Sequence, residues 1–239
     1  SAILIVIAFY VRLKISETAV FASETANANA DEPCSNAAPL LAVLRWQRRK
    51  IVLAAGSVLG GFGFVYLAST YLTSYAQTHL GYSRNFVLIV GVLGGLTSIV
   101  FVWLTASLCD RFGRRRVMLT VWAVALPWSL VVMPLIDSGF PALFAAAVLS
   151  LYATAAAGFG PVGALMPELF ATRYRYTGTA LAFNLAGIVG GAVPPLIAGT
   201  LLACCGSWAI GLMLMTLVAA SLVCTYLLPE TVGTILARR

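Results

Sequence analysis

Apolar residues fill long stretches of the chain, and polar or charged residues are confined to the short segments between them. A transmembrane helix needs about 20 mostly apolar residues to cross a hydrocarbon core about 30 Å thick. Backbone facing lipid must satisfy its own hydrogen bonds, and no stretch alternates like a barrel strand, so each stretch is predicted to be an α-helix. Apolar length and helix breakers predict six full spans, at residues 51–76, 86–108, 117–136, 142–166, 177–203 and 207–228.

The predicted spans divide the chain into four segments. Residues 1–11 are apolar and are interpreted as the end of a truncated preceding helix. Residues 12–50 form a polar connector, residues 51–228 the six-helix transmembrane bundle, and residues 229–239 a short tail. The predicted fold class is therefore all-α, a polytopic membrane protein.

Composition supports the membrane assignment. The 239 residues are 61% hydrophobic and 10% charged, whereas a soluble domain carries about 25% charged residues. This excludes a soluble enzyme, and no paired acids or histidine cluster indicate a membrane enzyme. The five cysteines form no CxxC pair, so no metal, redox centre or cofactor is expected.

The positive charges predict orientation. All but one of the 15 lysines and arginines fall in segments on one side of the predicted spans, and the exception is Arg84. Cytoplasmic segments carry the excess of such residues, so these segments and the C-terminus are predicted to be cytoplasmic in a plasma (bacterial inner) membrane. Because the net charge of +7 lies between spans and forms no surface patch, no nucleic-acid partner is expected.

A motif occupies the predicted loop 109–116, between the second and third spans. It reads Asp110-Arg111-Phe112-Gly113-Arg114-Arg115-Arg116. The segment resembles the signature of the major facilitator superfamily, Gly-x-x-x-Asp-Arg-x-Gly-Arg-Arg-Arg, with Ala106 in place of the leading glycine. The alternative interpretation is a basic loop that only sets topology.

Other segments resemble the same superfamily. Glu168 and Arg175 give a Glu-x6-Arg pattern after the fourth span, and Glu230 lies in a Pro-Glu-Thr triplet after the last. Arg-Tyr-Thr-Gly at 175–178 resembles the metabolite:proton symporter family, whose members import organic acids, betaines, proline or shikimate. The sequence PETVG at 229–233 lacks the lysine that sugar porters carry in PETKG.

The resemblance implies the C-terminal half of a secondary transporter that works by alternating access between two six-helix bundles. Its expected partners are the lipid bilayer, a missing N-terminal six-helix half, and a small polar metabolite carried with a proton. Two alternatives stay open. One is a sugar-porter-like facilitator, and the other is an inactive membrane remnant or scaffold of a truncated gene.

The charged motif residues are predicted to form a cytoplasmic gate that latches across helix ends. Exposed ion pairs are individually worth roughly 0–1 kcal/mol, which suits a latch that must open. The alternative role is topology alone. The predicted gate residues are Asp110, Arg111, Gly113, Arg114, Arg115, Glu168, Arg175 and Glu230.

Polar side chains within the spans are candidates for the solute pathway. Since no acidic or basic residue lies inside the six predicted spans, a proton-carrying carboxylate is expected in the missing half. Hydrogen bonding between helices is the alternative role of the polar residues. The pathway candidates are Tyr66, Thr70, Tyr152 and Asn184.

Overall fold

The computed structural model describes residues 47–170 and 174–229, and within these ranges the chain is helical with short turns and no strand. Ten α-helices follow one another there, and two π-helical turns, Leu67–Tyr71 and Gly187–Ala192, interrupt them. The helices are α1 (Arg48–Ser57), α2 (Leu59–Tyr66), α3 (Leu72–Thr78), α4 (Arg84–Phe112), α5 (Arg114–Ile136), α6 (Pro141–Phe159), α7 (Val162–Leu169), α8 (Arg175–Ala186), α9 (Val193–Cys205) and α10 (Trp208–Leu227). The predicted stub at 1–11, most of the connector and most of the tail lie outside the described residues.

The helices provide five candidate spans, and a bent pair of helices is a candidate for the sixth. Five are long and apolar enough to cross a membrane: 84–112, 114–136, 141–169, 175–205 and 208–227. The helices at 48–57 and 59–78 are apolar enough only when taken together, and the bend of 41° between them makes this pair either a broken span or a re-entrant segment. The all-α, multi-span fold is confirmed.

The prediction of a loop at residues 109–116 is wrong. Helix α4 continues to Phe112 and α5 starts at Arg114, so Gly113 alone separates them. Its φ of 91° lies in a region that residues with a Cβ rarely adopt, which explains why glycine is needed at so short a turn. The fourth span also runs past its predicted end to Leu169, which places Glu168 in a helix.

Small residues allow the spans to pack closely. Trp122 of α5 is fully buried, and its ring lies where a Cβ on Gly158 of α6 would be. A Cβ on Gly190 would come within 2.6 Å of the Leu59 carbonyl oxygen, so the fifth span touches the backbone of the first. By contrast, α4 exposes large apolar side chains, including Trp103 at 71%, a surface suited to lipid or to another protein and not to water.

Candidate functional site

An ion pair joins the third and fourth spans at the end of the bundle that carries Gly113, called here the motif end. Arg114 Nη1 lies 2.7 Å from Glu168 Oε2, and the side chains are only 22% and 15% exposed. Arg114 is placed by the start of α5 and Glu168 by the last turn of α7. A charge-assisted hydrogen bond that is mostly shielded from water is stronger than an exposed pair, so this contact can hold α7 against α5.

Arg115 holds the last span to the same end. Its Nε donates to the Thr225 carbonyl at 3.4 Å, and its Nη2 donates to the Tyr226 carbonyl. The guanidinium carbon also lies 5.3 Å from the centroid of the Tyr226 ring. The Thr225 carbonyl also accepts from the Leu228 N–H at 3.2 Å, so Arg115 adds a second donor there and binds the Tyr226 carbonyl in the last turn of the helix. Tyr226 was not among the predicted residues, and nothing in the sequence pattern distinguishes it.

Two further cationic side chains bind the end of α7. Arg175 Nε donates to the Pro167 carbonyl at 3.0 Å, and Lys50 Nζ donates to the Leu169 carbonyl at 2.9 Å. Arg175 therefore contacts the backbone and forms no ion pair with Glu168 in the described chain. The sequence predicted Lys50 as one of the charges that set orientation, in a basic amphipathic segment at the membrane surface. Its contact with α7 could not be predicted, because the approach of α1 to α7 is a tertiary feature.

The other predicted gate residues do not join this network. Asp110 and Arg111 are exposed in the last turn of α4, and neither forms an ion pair with a residue that the structure describes. Glu230 lies outside the described residues. The described motif end is thus one ion pair together with arginine and lysine side chains bound to helix carbonyls.

The four pathway candidates differ in their surroundings. Tyr66, Thr70 and Asn184 are exposed, and the Asn184 amide donates to the Ala180 carbonyl at 2.8 Å, which leaves its oxygen available. The Tyr152 ring instead occupies the space above Gly94 of α4. Its position favours a packing contact between α4 and α6.

Two grooves accompany these residues. A polar groove of about 420 Å³ follows the first span. It is lined by Ser69, Thr70, Thr73, Ser74, Gln77 and Thr78. An apolar groove of about 510 Å³ lies among the first, fourth and fifth spans. In it the Phe62 ring packs edge-on against Phe159 at 5.2 Å and Phe183 at 4.9 Å, a cluster that sequence reasoning did not find because its members are far apart in the chain.

Five helices of membrane length, with a bent pair as a sixth candidate, define a multi-pass membrane protein. The sequence model of the family described as Major Facilitator Superfamily matches residues 1–195, and the chain belongs to this superfamily. The predicted superfamily is confirmed.

Named relatives cover the same region. The chain is similar to the Inner membrane metabolite transport protein YhjE of Escherichia coli (strain K12), with 34% identity over 97% of this chain and 52% of the relative. A Putative metabolite transport protein of Haemophilus influenzae is 27% identical over 90% of this chain and 50% of the relative. The Proline/betaine transporter of Escherichia coli (strain K12) is 29% identical over 63% and 30%. The chain spans about half the length of the first two relatives, and all three are named as transport proteins, not enzymes.

Proposed function

We propose that this chain is the C-terminal six-helix half of a secondary transporter for a small polar metabolite in the bacterial inner membrane. The observation that carries the proposal is the polar groove, which Thr70, Thr73 and Gln77 line along one face of a membrane-spanning helix. The Thr73 hydroxyl and the Gln77 amide donate to carbonyls of the same helix, which leaves the Thr70 hydroxyl and the Gln77 side-chain oxygen available to a solute. Such groups are costly to bury in lipid unless they face partners or a wet path. A second six-helix bundle forms the opposite wall, as alternating access requires.

The solute we propose is an organic acid, betaine or amino acid. The resemblance at 175–178 and the name of the proline/betaine transporter support this class, and the hydroxyl and amide groups of the groove suit a polar solute. Proton coupling is part of the proposal. The described acids, Asp110, Asp137 and Glu168, lie near helix ends, so the coupling carboxylate is assigned to the other bundle.

The motif end is proposed to be the cytoplasmic gate. Helices α6 and α7 are separated at Gly160 and Pro161, and proline cannot donate the hydrogen bond that would continue the helix. Movement of α7 about this break separates Glu168 from Arg114, so the pair favours the closed arrangement. The excess of positive charges supports a cytoplasmic location for this end, and a thiol introduced by Ser138→Cys at the other end is expected to react from outside intact cells.

Uptake into proteoliposomes by the full-length protein tests the function. Proline, glycine betaine and a dicarboxylate are supplied with and without an acidic exterior, and accumulation of at least one with the acid gradient is expected. Thr70→Val should raise KM for that solute, because it removes a hydroxyl from the groove. Thr97→Val is the matched control, since Thr97 is a half-buried threonine of α4 whose hydroxyl donates to the Leu93 carbonyl of the same helix. Absence of uptake for the whole panel, or equal effects of both variants, would contradict the proposal.

A further inference from the structure

The first span is broken at a single residue. Helix α1 ends at Ser57 and α2 begins at Leu59. Val58 between them has φ −116° and ψ 3°, close to the sparsely populated bridge region and outside the values of an α-helix. Residues 48–66 contain no proline, and the other common cause of a sharp helix bend is a side chain inserted among the backbone hydrogen bonds.

The side chain inserted at this break is Ser221 of the last span, α10. The Gly60 N–H donates to Ser221 Oγ at 2.8 Å, and Ser221 Oγ donates to the Gly56 carbonyl at 2.9 Å. In an uninterrupted α-helix these two backbone groups bond directly, because each N–H donates to the carbonyl four residues earlier. Ser221 is fully buried, so its hydroxyl bridges one turn of the first span away from water.

Close contact between the first and last spans makes the bridge possible. A Cβ on Gly56 would overlap Cys224 Sγ, and a Cβ on Gly63 would come within 2.9 Å of the Leu217 side chain. Gly56 lies before the break and Gly63 after it, while their contacts on α10 run in the opposite order. The antiparallel order thus continues through the break, and the bent pair follows α10 as one broken span.

The bridge can be exchanged without loss of hydrogen bonds. If the two arms of the span straighten, the Gly60 N–H can donate directly to the Gly56 carbonyl. The Ser221 hydroxyl can then donate to the carbonyl of Leu217, four residues earlier in its own helix. Two hydrogen bonds are present in either arrangement. Because buried polar groups need partners, this balance lowers the cost of a change in the bend.

The break separates two parts of the span that the proposed function uses. On one side, α1 carries Lys50, which binds the end of α7 at the motif end. On the other side, the helix carries the polar groove between Ser69 and Thr78. An arm of ten residues is about 15 Å long, so a change of about 20° in the bend moves its end by about 5 Å. Bending at Val58 therefore moves the motif end relative to the groove.

We propose that Ser221 is a positioning residue of the transporter, which holds the bend of the first span and releases it during alternating access. The proposal rests on the proposed function. In this structure the Arg114–Glu168 pair and the Ser221 bridge occur together, so the bridged bend belongs to the closed motif end. The direct hydrogen bond between Gly60 and Gly56 belongs to the open one. Ser221 contacts no solute and acts through the position of α1.

The reactivity of Cys224 tests whether Ser221 holds the bend. The Cys224 thiol already touches Gly56, so further approach is blocked and a changed bend uncovers the thiol. The full-length protein, with every other cysteine replaced, is treated with N-ethylmaleimide. Ser221→Ala leaves the Gly60 N–H and the Gly56 carbonyl without the bridge, and it should raise the modification rate about fivefold, as expected for the loss of one net hydrogen bond from the bent arrangement.

Ser129→Ala is the matched control. Ser129 is also fully buried, but its hydroxyl donates to the Ala125 carbonyl of its own helix and bridges no other span. This variant should leave the Cys224 rate unchanged. Equal acceleration by the two serine variants, or no acceleration by Ser221→Ala, would overturn the bridge.

Uptake kinetics test the role in transport. For a solute that the full-length protein accumulates in proteoliposomes, Ser221→Ala should lower kcat about fivefold, because the direct hydrogen bond favours one arrangement and slows the return to the other. KM should change less than twofold, since no residue of the groove is altered. Ser129→Ala should change neither constant. A loss of packing alone would lower the amount of folded protein and leave kcat per folded molecule unchanged.

The two proposals fail separately. Uptake whose kcat is the same in Ser221→Ala and the unaltered protein would reject the positioning role and retain the transporter. Absence of uptake for the whole panel of solutes would reject the transporter, and with it the role of Ser221 in alternating access. The Cys224 rates would then still decide whether Ser221 holds the bend.

Discussion

The two ends of the bundle are held by different forces. At the motif end, charged side chains bind a carboxylate and helix carbonyls, as in Arg114 with Glu168 and Arg115 with Tyr226. At the opposite end, called here the far end, one hydrogen bond from the Tyr75 hydroxyl to Asp137 connects the first and third spans, and the rings of Tyr71, Tyr75 and His79 stack along the first span itself. Separation of helix ends lets charged side chains exchange their protein partners for water, even where the closed contact is mostly shielded, whereas the Tyr75 hydroxyl contributes a single hydrogen bond without an ion pair. The contrast supports the proposal that the gate lies at the motif end.

The largest effect is expected from Glu168→Gln. Removing the charge leaves Arg114 mostly buried without its ionic partner, which we expect to destabilise the closed motif end by about 2 kcal/mol and to raise its open population about 30-fold. Cys109, which is 3% exposed in the last turn of α4, reports the change when the other cysteines are replaced. Its rate of modification by a maleimide should rise accordingly.

Asp110→Asn is the matched control for that experiment. Asp110 is an exposed acid two residues from the end of α4 and forms no ion pair with a described residue, so the Cys109 rate should change little. The sequence alone grouped both acids in one gate. Equal acceleration by the two variants would restore that single gate and contradict the distinction drawn from the structure.

An intermediate effect is expected at the far end from Tyr75→Phe. The variant retains the stacked rings and removes the hydrogen bond to Asp137. We expect the free energy of unfolding to fall by about 1 kcal/mol, a value kept low because the Asp137 carboxylate is exposed to solvent. Thermal unfolding in detergent should show a lower midpoint, while the Cys109 rate stays unchanged. Acceleration at Cys109 would show that the two ends are coupled.

The smallest effect is expected from Arg115→Gln. It removes the cation from the final carbonyls of α10, worth about 0.5–1 kcal/mol for a helix C-terminus near the surface. The unfolding midpoint should fall slightly. Arg116→Gln is the control, because the Arg116 side chain is exposed and has no described contact. If Arg116→Gln lowers the unfolding midpoint as much as Arg115→Gln does, the effect comes from the change in net charge and not from the lost contact.

The spans and the superfamily could be predicted from the sequence because the length of the apolar stretches and the Asp-Arg-Phe-Gly-Arg-Arg-Arg motif at residues 110–116 are local features. Sequence reasoning placed Asp110 and Glu168 in loops, since apolar length alone does not show that a helix continues through charged residues. It listed Tyr66 and Thr70, but it missed the stacked rings of Tyr71, Tyr75 and His79. The spacing of four was visible, yet the anchor at Asp137 depends on the meeting of two spans 62 residues apart in sequence. Lys50 and Phe183 were missed for the same reason.

The central claim is that a solute path with alternating access runs along the first span. The reactivity of a thiol introduced by Thr70→Cys in the full-length protein tests this claim most directly. A membrane-impermeant thiol reagent is applied from either side of proteoliposomes, with Thr97→Cys as the control. We predict reaction at position 70 from both sides, slowed by a transported solute, and slow, solute-independent reaction at position 97. Reaction at position 70 from one side only under every condition, or at the same rate as at position 97, would contradict the account.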